Sequence, residues 1–280
     1  MIVVSATTLE EALAALAPAS ASTRVLAGGT DLMVELQSGR TRPDRVVDVR
    51  AVPELRGITE EQGSLRIGAL ATCGELLRDP RVARCAPLLQ VAAREVGAVQ
   101  IQNRATIGGN LGSASPAADL VPVLFALGAR VELVSARGRR VLAAEEFVTG
   151  YRSTARAPDE LIAAVSIPAR RPGERQAFRK VGTRRAQSIA KVVVALSVEV
   201  EDGRVRTARV AAGSVAARTL RLAACERALE GAVLGDSAIE HAARAAADRD
   251  AAPRDDVRSS ALYRRVVLAR VLATMLRSLA

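Results

Sequence analysis

The sequence predicts an α+β protein assembled from three small units of sheet and helix. Three observations carry this reading. Two glycine-rich turns, VLAGGTDL at 25–32 and TIGGNL at 106–111, sit among short strand and helix signals. An Asp-Gly turn at 201–204 joins two runs rich in β-branched residues. From residue 220 onward the alternation is lost and helical spacing takes over.

The elements follow in order. Thr8 and Glu11 are spaced as a capping box, with Thr8 as N-cap, and open a helix that runs to about Ala17 and stops at Pro18. Residues 24–27 read as a buried strand entering the first glycine turn. Asp31 is expected to cap a helix through Gln37, ended by Ser38-Gly39, and 45–49 is the next strand. A second unit starts after Gly57, with a strand at 65–70. A capping box of Thr72 and Glu75 leads a short helix to Asp79-Pro80, and 87–96 has helical spacing. An apolar helix at 119–127 is closed by Gly128, and 129–134 and 161–167 are strands. Residues 168–173 read as a linker. The third unit has strands at 176–182, 192–200 and 204–213. Asp202-Gly203 supplies the positive φ of a type I′ hairpin. Helices are expected at 220–230, at 237–248 and from 259 to the C-terminus.

A chain of 280 residues with 49% hydrophobic and only 2% aromatic residues builds its core from Ala, Val and Leu. The net charge is +10, but the arginines are spread along the whole chain, without a basic block interleaved with aromatics. Nucleic acid is therefore not the expected partner. Lys180 and Lys191 are the only lysines. Cys73, Cys85 and Cys225 form no C-x-x-C pair, which argues against zinc, a chain-borne iron–sulfur cluster or a disulfide framework, and fits a reduced, cytoplasmic setting. No signal peptide is expected after Met1, and no run of ~18 apolar residues is present to span a membrane.

The chemistry concentrates in the two turns. Glycine lets backbone amides approach a ligand closely, and successive amides form a nest for an anion. Around Ala27, Gly28, Gly29 and Thr30 the amides and the Thr30 hydroxyl are expected to face phosphate oxygens, with Asp31 turned back as a helix cap. Thr106, Ile107, Gly108, Gly109 and Asn110 place a second nest between two hydrogen-bonding side chains, followed by a small, polar segment around Ser115-Pro116. Either turn also reads as plain structure, the first as a strand-to-helix turn and the second as a structural loop. His241 lies in a helical stretch far from both and has no Ser-His-Asp or metal constellation around it.

In series these segments resemble the FAD-binding medium subunit of the molybdenum hydroxylases, the xanthine dehydrogenase and carbon monoxide dehydrogenase family. Its A-G-G-(T/H)-(D/S)-L motif is met by residues 27–32, its T-I-G-G-N by 106–110, and its A-S-P-x-x-D by Ala114, Ser115, Pro116 and Asp119. Further landmarks at 147–152, 160–168, Phe178, Lys180 and 189–192 keep the family's order. The resemblance implies a VAO/PCMH-like two-subdomain FAD-binding domain at 1–172, with lobes at about 1–55 and 56–172, followed by an α+β C-terminal domain of the CO dehydrogenase flavoprotein type at 173–280. It implies that 27–31 and 106–110 embrace the FAD diphosphate and its flanking sugars, with Ser115 in the adjoining small-residue segment. Asp119 accepts hydrogen bonds from ligand hydroxyls, Ile162 contacts one ring end, and Lys180 places a cation near the cofactor. It further implies a molybdopterin-binding large subunit and a small subunit with two [2Fe-2S] clusters, by analogy a dimer of heterotrimers, with electrons passing to NAD⁺, oxygen or a quinone. Two other readings use the same turns: a non-catalytic nucleotide-binding regulatory module, and a self-sufficient flavin oxidase, for which no candidate base or nucleophile is present.

Overall fold

The computed structural model describes residues 1–18, 20 and 22–280. Its first sheet is parallel, with Arg45–Asp48 in the centre between Ile2–Ser5 and Thr23–Leu26. Helix Leu9–Leu16 covers it, burying Ala12 and Leu16 against Val47 and Val49. Thr8 accepts from the Glu11 amide as expected, but the Glu11 carboxylate returns to the amide and hydroxyl of Thr7 rather than to Thr8. The box is displaced by one residue at its reciprocal half.

The second sheet is antiparallel, in the order Ile58–Glu61, Ser64–Gly68, Leu161–Pro168, Arg130–Ser135, Gly138–Ala143. Its central strand carries a bulge between Ile162 and Ala164. The extra residue changes the phase of the alternation. Leu161 and Ala163 thereby pack into the first lobe's core, while Ile162, Val165 and Ile167 pack into the second. One strand serves both cores and fixes the two lobes edge to edge.

The third sheet is antiparallel, in the order Glu174–Val181, Val192–Glu201, Arg204–Gly213, Leu220–Arg221. Asp202 (φ 50°) and Gly203 (φ 74°) make the expected tight turn. One face of this sheet packs on the C-terminal helices through Val194, Leu196 and Val198. The other, through Ala195 and Ala211, joins the core of the second lobe, beside the wholly buried helix Val121–Ala126.

Several expectations are corrected. Leu220–Arg221 is a short edge strand, and the helix begins only at Ala223. Helix 119–127 starts at Val121, and helix 87–96 ends at Arg94. Helix Asp236–Ala245 continues as a π-turn over Ala246–Asp250. Besides the small ribbon Val148–Gly150/Ser153–Thr154, three strands have no expectation: Ile2–Ser5, Ile58–Glu61 and Gly138–Ala143. Each lies at a sheet edge, so half or more of its side chains face solvent and the apolar pattern that marks a strand is absent. Among the described residues no helix is long and apolar enough to cross a membrane.

Candidate cofactor site

A cavity of about 580 Å³ opens between the lobes. Ala27, Gly28, Gly29, Thr30 and Asp31 line one wall, Thr106, Gly108, Gly109 and Asn110 the other, and Ile162 lies on the apolar side. These ten of the fourteen sequence-predicted residues come together although the turns are far apart in the chain. Ile107, Ser115, Asp119 and Lys180 do not reach this wall. Ile107 is fully buried in the second core, and the Ser115 hydroxyl accepts from the Ala117 amide.

The two turns contribute differently. In the first, the backbone carbonyls of Gly29 and Asp31 accept from Met33 and Glu35 and so start the helix Leu32–Gln37. The amides of Gly28, Gly29, Thr30 and Asp31 donate to no acceptor among the described residues. Four consecutive polar N–H groups on a cavity wall are suited to cradle an anion. Gly29 needs its glycine for conformation (φ 79°), and Gly28 for space: a Cβ there would lie 2.0 Å from the Arg104 carbonyl oxygen. Asp31 is corrected. It has helical dihedrals (φ −100°, ψ −53°), its side chain makes no cap bond, and it is exposed at the rim.

The second turn is not the amide nest its sequence predicts. It is the N-terminus of helix Ile107–Gly112, and its amides are taken by protein acceptors. Ile107 donates to the Ala71 carbonyl at 2.9 Å, Gly108 to Ala69 at 2.9 Å, Gly109 to the Thr106 hydroxyl at 3.0 Å, and Asn110 to the Thr106 carbonyl at 2.9 Å. Gly108 is required because a Cβ would meet the Ala69 Cβ and carbonyl at 2.7 Å. What this turn offers a ligand is close approach plus side chains. The Asn110 Oδ1 accepts from the Leu120 amide at 3.3 Å, and its amide nitrogen bonds no described residue.

Three arginines on the wall, Arg24, Arg152 and Arg156, were not singled out as site residues from sequence, where the arginines read as dispersed charge. Arg152 pairs with Glu35 across the cavity mouth, tying the ribbon Val148–Gly150/Ser153–Thr154 to the first lobe. Arg156 is held by the carbonyls of Ala157, Pro158 and Glu160, and burial pushes its pKa down. This wall favours an anionic ligand.

Behind the cavity, Lys180 Nζ lies 2.8 Å from Asp119 Oδ2 and 2.8 Å from the Glu95 carbonyl, with side chains only 4% and 11% exposed for Lys180 and Asp119. Asp119 Oδ1 is buried with no partner. Burial pushes the Asp119 carboxyl up to about 6, against the opposing pull of Lys180. Its proton is thus held more tightly in the folded chain than at the ordinary 3.8. That contribution to stability is full below the unfolded pKa and is lost as pH rises through about 6, a span worth ~3 kcal/mol. Asp119→Asn should remove this part of the fall in denaturant-measured stability between about pH 4 and about pH 7. Equal slopes in the two proteins would show that the carboxyl does not titrate there. The Cys73 thiol is likewise pushed up by burial, to about 12, and is unreactive at neutral pH. His241 is exposed on helix Asp236–Ala245.

The cradle fits a dinucleotide cofactor: free amides for a diphosphate, a guanidinium-bearing wall, and apolar faces at Val25, Val96 and Ile162 for ring systems. Comparison with known proteins agrees. The family described as FAD binding domain in molybdopterin dehydrogenase matches residues 1–170, and the CO dehydrogenase flavoprotein C-terminal domain matches 176–279. The chain is 32% identical over 265 residues to the glyceraldehyde dehydrogenase medium chain of Sulfolobus acidocaldarius, covering 95% of this chain and 93% of that one. It is 34% identical over 214 residues to the nicotinate dehydrogenase FAD-subunit of Eubacterium barkeri, covering 75% and 72%. A carbon monoxide dehydrogenase chain from Hydrogenophaga pseudoflava superposes with a TM-score of 0.95 at 29% identity, over 99% of this chain and 96% of that one. With both halves of the sequence accounted for and the fold shared from end to end, this chain belongs to the FAD-binding subunits of the molybdenum hydroxylase family, oxidoreductases of the xanthine and CO dehydrogenase type.

Proposed function

We propose that this chain is the electron relay of a molybdenum hydroxylase complex. It takes electrons from [2Fe-2S] clusters of a small partner subunit, which receive them from a molybdenum cofactor in a large one, and passes them to an acceptor such as NAD⁺, oxygen or a quinone. The observation that carries this reading is the row of unpartnered amides at 28–31 on the wall of an inter-lobe cavity. Those amides hold the FAD diphosphate. Thr30, Thr106 and Asn110 contact its flanking sugars, and Gly108 and Gly109 let it lie close. Ile162 and Val96 cover ring surface and exclude water. Asp119 and Lys180 set the charge behind the cavity, and residues 1–172 form the cofactor-bearing domain. FAD, when bound, supplies reversible hydride and electron transfer. The reduced cysteines fit a cytoplasmic complex.

The test is direct. The chain expressed with its partner subunits should release one FAD per chain on denaturation, identified in the cluster-free supernatant by its absorbance near ~450 nm. Native mass spectrometry should show one larger and one smaller companion. A colourless protein that binds nucleotides but no flavin points instead to a regulatory module.

A further inference from the structure

A second cavity, of about 440 Å³, lies beside the first and shares Ala27, Gly28, Leu70 and Thr106 with it. Gly28, which lines both, packs closely on the Arg104 backbone. Its rim carries four guanidinium groups, from Arg50 of the first lobe, Arg56 at the junction of the lobes, and Arg78 and Arg104 of the second. Arg50 is paired with Asp48 at 2.7 Å, and Arg56 donates to the Arg50 carbonyl at 2.7 Å. The guanidinium groups of Arg78 and Arg104 make no hydrogen bond or salt bridge with any described residue, and Arg104 lies within electrostatic reach of Asp48. The one carboxylate lining the cavity, Glu75, is engaged by the amide and hydroxyl of Thr72 at 2.7 and 2.8 Å. The guanidinium charge is therefore in excess, and its four exposed carriers line one open, shallow cavity.

We infer that this cavity binds the phosphate groups of a second ligand, a diphosphate of the kind carried by a nucleotide. Planar guanidiniums grip phosphate oxygens in pairs, and the volume lies within the range of small-ligand sites. The inference rests on the proposed function in one respect: FAD occupies the first cavity, so the second remains open to another molecule.

The flavin-loaded chain is titrated calorimetrically with inorganic pyrophosphate and, separately, with ADP. Both should bind saturably, and more weakly as salt rises. Arg78→Gln and Arg104→Gln should each weaken binding by ~10-fold or more while the ~450 nm absorbance per chain stays unchanged. Tighter binding of ADP than of pyrophosphate identifies a nucleotide as the source of the diphosphate; equal binding identifies the phosphates alone. The proposal is overturned if wild type shows no saturable binding, or if both variants bind as wild type does. It is also overturned if the variants lose flavin in step, because the cavity then belongs to the cofactor. Normal anion binding with failed assembly overturns it as well, and makes the arginines a protein contact. Absence of flavin from the wild-type chain refutes the proposed function and is read independently, from the spectrum.

Discussion

Gly28→Ala should yield a folded chain that no longer retains flavin. The added Cβ would lie 2.0 Å from the Arg104 carbonyl oxygen and 2.8 Å from its carbon, both backbone atoms that no rotamer change can move aside. The lobes must separate where their two walls meet. Overpacking of this kind costs ~1–3 kcal/mol. A displacement of about 1 Å in a positioning wall is expected to cost roughly 100-fold in productive binding. Gly235→Ala is the control, since an added Cβ there meets nothing within 4 Å and its φ is negative. If Gly28→Ala purifies with the same absorbance per chain as Gly235→Ala, the inter-lobe wall is not where the cofactor is held.

Lys180→Met should strongly destabilise the fold. It leaves the Asp119 carboxylate buried, with Oδ1 already unpartnered and Oδ2 newly so. Breaking a buried pair from one side costs ~3–5 kcal/mol, because the remaining charge keeps its desolvation penalty. The loss should be larger at neutral pH than in acid, where Asp119 takes up a proton. The double substitution Asp119→Leu with Lys180→Met should recover most of the stability, since it removes both charges. Urea unfolding of the four proteins completes the cycle. A single variant as stable as wild type would mean that the pair is solvated.

What the sequence made legible was local. Thr72 and Glu75 form the reciprocal capping box their spacing predicts, and Asp202-Gly203 closes its hairpin. Both depend on residues within one turn of the chain. The long strand Val192–Glu201 is legible because burial on both faces leaves a near-continuous apolar run, and Arg204–Gly213 is legible as its return across the Asp-Gly turn. Residues set by distant partners were not. The amides of Ile107 and Gly108 resemble those of Gly28 and Gly29 in sequence, yet Ala69 and Ala71 from the neighbouring strand end accept from them. Nothing within 106–111 announces those acceptors. Asp119 and Lys180 were each singled out, but that they bind one another follows only from the docking of the third sheet on the second lobe. Arg152 reads only as part of the landmark at 147–152 and Arg156 as dispersed charge, because clustering in space leaves no mark on spacing along the chain.

The hexapeptide VPVLFA at 121–126 offers no polar side at all; every residue is inaccessible to solvent, and strands 192–201 and 204–213 form part of its cover. The half of the chain that bears the glycine turns therefore has no outer skin of its own at this point. It borrows a roof from the half that follows. The hydrophobic seam between the two halves acts as a weld rather than a hinge.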